Sequence, residues 1–184
     1  MARLPYVEPG DSPEVDGLYA EIAGMGRSVA NLYKMLANQP PALAAFLGMS
    51  RYVRSASSLD PGLRELLILA TAHEFGQEYE LVHHREAAQN AGVSPAKIAS
   101  LEPGGDLSVL TEEERCAVDF ARQIAHTRDS DSATFKRVLE LFPKASVIDL
   151  VVTAAWYHLC AVILDSTHVG LEPEYRATER RRQR

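Results

Sequence analysis

The stretch RELLILATAHEFGQEYELVHHREAAQN, residues 64–90, decides the prediction of the fold. Its first half is apolar on most sides, which is typical of a helix buried in a protein core. Asp60 and Pro61 precede it and suit the N-cap and the first helical position. Gly92 follows it and suits the left-handed position just beyond a helix end. The pattern therefore predicts one long helix over residues 61–91 that crosses the centre of the fold.

The rest of the chain also has the patterns of helices. It contains no sustained alternation of apolar and polar residues, and no Asn-Gly or Asp-Gly hairpin signal. Thr111 and Glu114 form a capping box at the start of one predicted helix. We therefore predict an all-α protein. Further helices are expected in SPEVDGLYAEI, VANLYKMLANQ, PALAAFLGMSRYVRSA, SPAKIASL, EEERCAVDFARQIAHT and ATFKRVLELF, and over about residues 146 to 166.

Composition sets the domain count and excludes one class of partner. The chain has 184 residues, 46% of them hydrophobic, and a formal net charge of −6. This length suits one domain, which we place at residues 1–175. The run RATERRRQR, residues 176–184, is predicted to be a flexible basic tail. Because the net charge is negative, no nucleic-acid partner is predicted.

No export signal or membrane segment is predicted, and the expected location is the cytoplasm. The N-terminal residues carry Pro and acids where a signal peptide needs an apolar stretch. The longest apolar run, residues 147–164, is interrupted by Asp149 and His158. Cys116 and Cys160 lack C-x-x-C spacing, so we predict buried thiols rather than a disulfide.

Four polar residues of the long helix are spaced to share one face. His73, Gln77, Glu80 and His84 are separated by four, three and four positions. Glu65 lies three turns before Glu80, in the apolar part of the helix. A lone buried carboxylate is costly, so we expect Glu65 to have a partner from another helix.

The residues alone leave three interpretations of this face open. A metal site would use Glu80 and His84, but H-E-x-x-H is absent because Gln77 stands where the second His would be. A solvated face with Glu–His pairs would need no function. Acid–base catalysis would use a carboxylate and an imidazole, one helical turn apart, to share a proton. We predict no metal and no cofactor.

Residues 64–98, RELLILATAHEFGQEYELVHHREAAQNAGVSPAKI, resemble the carboxymuconolactone decarboxylase and alkyl hydroperoxidase D-like family. In the peroxidase branch this region carries Cys-x-x-Cys-x-x-x-His, with His or Tyr before the second Cys and a Glu twelve residues before the first. Aligned on that motif, Gln77 and Glu80 stand at the two Cys positions. Tyr79, His84 and Glu65 match the remaining positions.

The resemblance implies an alkyl hydroperoxidase D-like helical bundle around the long helix, assembled as a homo-oligomer (dimer, trimer or hexamer). Peroxide reduction through this motif needs two thiols, and both are replaced. The decarboxylase branch needs no dithiol and implies cofactor-free loss of CO₂ from a small carboxylated lactone or a related intermediate of aromatic catabolism. Two alternatives remain: an antioxidant peroxidase, and a non-enzymatic structural or binding relative.

Roles follow from the resemblance to the decarboxylase branch. His84 is the expected proton donor or relay, Glu80 or Glu65 orients its imidazole, and Tyr79 donates a hydrogen bond to the substrate. Donors must hold the oxygen that receives negative charge, and cations must hold the substrate carboxylates. The predicted substrate-binding residues are Gln77, His73, Arg64 and Arg54.

Overall fold

A computed structural model describes residues 1–176 of the protein. No β-strand occurs in this part of the chain, so the all-α prediction is confirmed. A π-helical turn, Tyr52–Ala56, and a 3₁₀ turn, Leu107–Val109, join some of the helices. The α-helices are α1 (Pro13–Gly24), α2 (Asn31–Leu36), α3 (Pro40–Arg51), α4 (Pro61–Phe75), α5 (Glu78–Asn90), α6 (Pro95–Ser100), α7 (Glu112–Thr127), α8 (Ser132–Leu141) and α9 (Lys144–Thr167).

The helix contacts divide the chain into two compact units. Unit 1 contains Met1–Ser55 and the chain from Ile163 onward, and unit 2 contains Ala56–Val162. The single domain expected over residues 1–175 stays a prediction. The predicted basic tail lies outside the described residues except for Arg176.

Unit 1 is built from short helices. α1 and α2 both pack against α3. Asn31 at the start of α2 joins two parts of the unit, since its side-chain amide donates to the Gly170 carbonyl at 2.8 Å. Its backbone N–H donates to Glu172 Oε1 at 2.7 Å. These bonds tie the C-terminal segment to α2.

Unit 2 has its core around α4, which packs mainly against α5 and α7. Leu66, Phe120 and Leu150 are fully buried members of this core. The capping box predicted at the start of α7 is confirmed. The Glu114 N–H donates to Thr111 Oγ1 at 3.2 Å, and the Thr111 N–H donates to Glu114 Oε2 at 2.8 Å.

The long helix predicted over residues 61–91 is interrupted in the middle, so that prediction is wrong. α4 ends at Phe75, and Gly76 takes the left-handed conformation at φ 59° and ψ 29°. Gln77 then caps α5, its Oε1 accepting a bond from the Tyr79 N–H at 3.0 Å. Glycine adopts this conformation without steric cost, so Gly76 and Gln77 supply a C-terminal and an N-terminal signal side by side. The predicted left-handed glycine after the second half is confirmed, with Gly92 at φ 82°.

α9 is long and apolar enough, by length and composition, to cross a membrane. More than half of its most apolar window, 56%, is buried inside the protein, as in the core helix of a soluble protein. Asp149 does not interrupt it. This buried carboxylate accepts bonds from the backbone N–H and the hydroxyl of Ser58, both at 2.7 Å to Oδ2. The polar group expected to break the apolar run is thus satisfied by its neighbours.

The break between α4 and α5 gives a direct test at Gly76. A Cβ there meets no atom within 4 Å, so only the left-handed backbone opposes a side chain. We expect Gly76→Ala to lower the free energy of unfolding by about 1 kcal/mol, and Gly76→Asn to lower it less. Gly48→Ala within α3, where there is also open space, should instead stabilise by roughly 0.5 to 1 kcal/mol. Urea unfolding measures all three, and a neutral Gly76→Ala would contradict the argument.

Candidate functional site

The break at Gly76 brings together two residues that are distant along the chain. On one straight helix, Glu65 and His84 would be about 28 Å apart, at 1.5 Å per residue. In the structure α5 folds back against α4, and His84 Nδ1 lies 2.6 Å from Glu65 Oε2. The expectation that Glu65 takes its partner from another helix is therefore confirmed, and that helix is α5.

His84 also contacts a second carboxylate. Its Nε2 lies 3.2 Å from Glu80 Oε2, one turn earlier on α5. On the other side, Arg64 Nη2 lies 3.5 Å from Glu65 Oε1. We call these four residues the His84 cluster. Glu65, Glu80 and His84 are only 2%, 5% and 2% exposed, so their charges interact with little screening by water.

The contacts fix how many protons the cluster needs. Each of the two N···O contacts of His84 is a hydrogen bond only if it holds a proton. A neutral imidazole brings one, so both contacts are hydrogen bonds at the same time only when the set of His84, Glu65 and Glu80 holds one proton more. With that proton the three groups carry a net charge of −1, which Arg64 neutralises. In that state the imidazole links the two carboxylates by one hydrogen bond from each ring nitrogen.

A third helix covers the imidazole. The Tyr157 ring of α9, only 4% exposed, meets the His84 ring edge-on, with centroids 4.9 Å apart and planes at 89°. Tyr157 is not in the predicted set, since spacing within residues 64–90 carries no signal about α9. Its contact fixes the ring plane that directs both imidazole nitrogens.

The remaining predicted site residues are not part of the His84 cluster. Tyr79 is buried and stacks on His83, with ring centroids 4.4 Å apart. Gln77 is buried and serves as the N-cap of α5. Arg54 lies in unit 1, in the π-helical turn. The helix break makes the shared face of His73, Gln77, Glu80 and His84 wrong as a single-helix argument, because His73 lies in the last turn of α4.

The two cysteines are buried thiols that form no disulfide, as predicted. Burial, and then the negative charge of Asp119, raise the pKa of the Cys116 thiol. A raised pKa disfavours the reactive thiolate. Within residues 1–176, no group of three or more His, Cys, Asp or Glu side chains is arranged to hold a metal ion.

Comparison with known families agrees with the motif. Residues 40–123 match the model of the carboxymuconolactone decarboxylase family. This match contains every residue of the His84 cluster, and the resemblance predicted from residues 64–98 is confirmed. No curated protein matches the chain.

Solved structures show the same fold across nearly the whole chain. An uncharacterised peroxidase-related protein from Silicibacter sp. TM1040 is 19% identical with a TM-score of 0.82, over 95% of this chain and 93% of that one. A peroxidase-related protein with an alkylhydroperoxidase AhpD core, from Ralstonia eutropha JMP134, has the same identity and score, over 95% and 94%. A variant of the debrominase Bmp8 in complex with 2,3,4-tribromopyrrole is 16% identical with a TM-score of 0.82, over 98% and 99%. The alkyl hydroperoxidase D-like fold is thereby established.

Removing the imidazole tests the charge balance of the cluster. His84→Ala leaves two buried carboxylates without the group that separates them. We expect the free energy of unfolding at pH 7 to fall by about 3 to 5 kcal/mol. The loss should be smaller at pH 5, because protonation of the two buried carboxylates of this variant costs less at the lower pH. His126→Ala, at an exposed site near the end of α7, should change the free energy of unfolding by no more than about 1 kcal/mol. Equal losses at both pH values would contradict the charge argument.

His73 gives a second pH test. Burial, followed by the charge of Arg85, lowers the pKa of its imidazole from 6.5. Below pH 6.5 the unfolded chain therefore binds a proton that the folded protein resists, so this residue reduces stability as the pH falls through 6.5. We expect His73→Gln to lose less stability than wild type between pH 7 and pH 5 in urea titrations. The exposed His126 offers the matched control His126→Gln. Equal slopes for wild type and His73→Gln would contradict the prediction.

Proposed function

We propose that the protein is a cofactor-free acid–base enzyme that decarboxylates a small carboxylated lactone or a related intermediate of aromatic catabolism. The observation that carries the proposal is the contact of His84 with a carboxylate at each ring nitrogen, 2.6 Å from Glu65 and 3.2 Å from Glu80. We infer that this arrangement lets a proton move through the imidazole between two acids, a transfer that needs neither a metal nor a thiol.

The proposed reaction needs only one proton. The bond between the carboxylate carbon and the ring breaks, CO₂ leaves, and the electron pair passes into the lactone carbonyl as a dienolate. A proton from the protein then adds to carbon as the electron pair returns. Solvent later restores that proton, so the balance is substrate carboxylate plus one proton giving product plus CO₂.

The geometry favours Glu80 as the group that gives the proton to the substrate. Both nitrogens of His84 already face carboxylates, so the imidazole acts as a relay. Glu80 is the more exposed of the two carboxylates, with 6% of its side chain accessible against 3% for Glu65. We assign Glu65 to hold the imidazole and resupply its proton, which is the positioning role of a buried acid behind a histidine.

Binding of an anionic substrate needs a cation near the relay. Arg64 meets this need because it is the basic member of the cluster and 12% of its side chain is accessible. Tyr79, Gln77 and His73 remain proposed contacts of the substrate, and the role expected for Arg54 stays a prediction. The protein is proposed to work in the cytoplasm, on a small molecule and without a nucleic-acid partner.

Redox chemistry is the less favoured function within this fold. The debrominase and the peroxidase-related neighbours share the architecture at 16% to 19% sequence identity. Identity this low supports a shared fold but not a shared function. At the two Cys positions of the peroxidase motif this chain has Gln77 and Glu80, neither of which can attack an O–O bond. Cys116 and Cys160 lie on α7 and α9, outside that motif.

A non-enzymatic role is the second candidate, favoured by one observation. Glu65, Glu80 and His84 are all at most 5% exposed, as in a cluster that only ties α4 to α5. In this case substitutions in the cluster alter stability and no chemistry. The two candidates therefore differ in what an isosteric change does to turnover when the fold is kept.

The decisive variant is Glu80→Gln, which keeps the shape and removes the acid. We expect turnover to fall by about 10² to 10⁴-fold, the usual contribution of a positioned acid or base. Release of CO₂ from a panel of carboxylated lactones measures this, with circular dichroism and thermal unfolding to confirm the fold. Glu78→Gln, at an exposed position in the same helical turn, is the matched control and should keep wild-type turnover.

Two results would contradict the proposal. One is wild-type turnover by Glu80→Gln, and the other is the absence of CO₂ release from every lactone of the panel by the wild type. Peroxide consumption that Cys116→Ser or Cys160→Ser abolishes would transfer the function to the redox class.

A further inference from the structure

α7 and α8 border a cleft with a volume of about 150 Å³. A cavity of roughly this volume can hold a molecule the size of benzene. The cleft is a different site from the His84 cluster, since no member of that cluster lines it. Its lining consists of two arginines, two carboxylates, a thiol and a hydroxyl, contributed by Glu112, Arg115, Cys116, Asp119, Thr134 and Arg137.

The positive charge of Arg137 is already neutralised. This arginine forms ion pairs with Glu112 across the two helices and, at 2.8 Å, with Glu140 on its own helix. Arg115 and Asp119 are the other two charged residues of the lining. In the part of the chain that the structure describes, the side chain of neither makes an ion pair or a hydrogen bond. The cleft therefore offers one guanidinium group and one carboxylate to a ligand.

Arg115 and Asp119 lie one turn apart on α7 but do not pair with each other. Ion pairs at this spacing are more favourable when the acid precedes the base, and here the arginine comes first. Asp119 is half-buried. Burial raises the pKa of its carboxyl group, and the opposing charges of Arg122 and Arg115 do not offset that effect. A carboxylate in this environment is stabilised by a cationic group that enters the cleft.

We propose that the cleft binds a small zwitterion of the amino-acid class, whose carboxylate contacts Arg115 and whose ammonium group contacts Asp119. β-Alanine and L-alanine have the same number of non-hydrogen atoms as benzene, which matches the volume of the cleft. Of the lining residues, Cys116 alone is buried, so its side chain forms the floor. An amino acid with a long side chain would exceed this volume, and the proposal is therefore limited to short ones.

A ligand with one charge satisfies only one of the two groups. An inorganic anion would bind Arg115 but would be repelled by the carboxylate of Asp119, and a simple amine would meet the reverse situation. A metal ion needs several ligands, and no group of three or more His, Cys, Asp or Glu side chains in the described residues is arranged to hold one. A zwitterion brings an opposite charge to both groups at once.

The first test measures ligand binding to the full-length protein by isothermal titration calorimetry. We expect saturable binding of β-alanine or L-alanine. Propionate lacks the ammonium group and ethylamine lacks the carboxylate. Each should bind at least about tenfold more weakly, because a charge-assisted hydrogen bond is lost and one charged group of the protein stays unpaired. Equal affinity for propionate, or no saturable binding of either amino acid, overturns the proposal.

Substitutions at the two charged residues assign the contacts. Asp119→Asn keeps the shape of the side chain and should weaken amino-acid binding at least about tenfold, and Arg115→Gln should do the same. Glu113→Gln and Lys136→Gln, at exposed positions of α7 and α8 outside the cleft, are the matched controls and should keep wild-type affinity. Circular dichroism establishes that all four variants are folded. Wild-type affinity of folded Asp119→Asn overturns the proposal, in favour of an anion site if binding still depends on Arg115.

Alkylation of Cys116 reports on the floor of the cleft. Cys116 is 9% exposed, and Cys160 on α9 is 2% exposed. Iodoacetamide treatment followed by mass spectrometry gives the rate at each cysteine. Saturating β-alanine should slow alkylation of Cys116 in proportion to its occupancy of the cleft and leave the rate at Cys160 unchanged. An unchanged rate at Cys116 would place the ligand elsewhere and overturn the proposal.

Discussion

The hydrogen bond between Glu65 and His84 is the interaction on which the arrangement of unit 2 depends. It joins α4 to α5 in the buried interior, and it exists only because the chain reverses at Gly76. A carboxylate or an imidazolium alone at this depth would cost several kcal/mol. The two helices must therefore pack with their polar groups aligned, and apolar packing alone would not impose that alignment.

Electrostatic balance explains how four ionisable groups occupy so little space. Arg64, Glu65, His84 and Glu80 sum to zero charge when the cluster holds one proton beyond a neutral imidazole, and the arginine and the imidazole each contact a carboxylate. Such a chain of charges is stable as a set, but removal of one member leaves an uncompensated charge. The same property suits proton transfer, because the cluster can pass a proton to a substrate only if something else restores the balance. An anionic substrate that consumes one proton does so.

The sequence predicts the content of the site better than its geometry. The family motif identifies Glu65, Glu80 and His84 correctly as a group. Helical periodicity then misplaces them, because it treats residues 61–91 as one rod and gives no weight to Gly76 inside an otherwise helical pattern. A glycine at this position can be tolerated inside a continuous helix, or it can end the helix in the left-handed conformation. Only the packing of α5 on α4 favours the helix end.

Two further differences between the sequence-based expectations and the structure have physical causes. Arg64 lies about 100° around the helix from Glu65, and the sequence therefore favours a partner for Glu65 on another helix. The guanidinium nevertheless lies 3.5 Å from the carboxylate, since its long side chain can bend back. Tyr157 contacts His84 from α9, more than seventy positions away in sequence, and no local pattern reports a contact of that range.

The reversal at Gly76 also creates a helix N-terminus at a position that would lie in the interior of an unbroken helix. Glu80 lies in the first turn of α5, close to backbone N–H groups whose aligned dipoles give that end a partial positive charge. An anion is favoured at such a position, and a thiol or an amide gains less from it. The glycine that sets the distance between the helices therefore also makes the position of Glu80 a favourable one for a carboxylate.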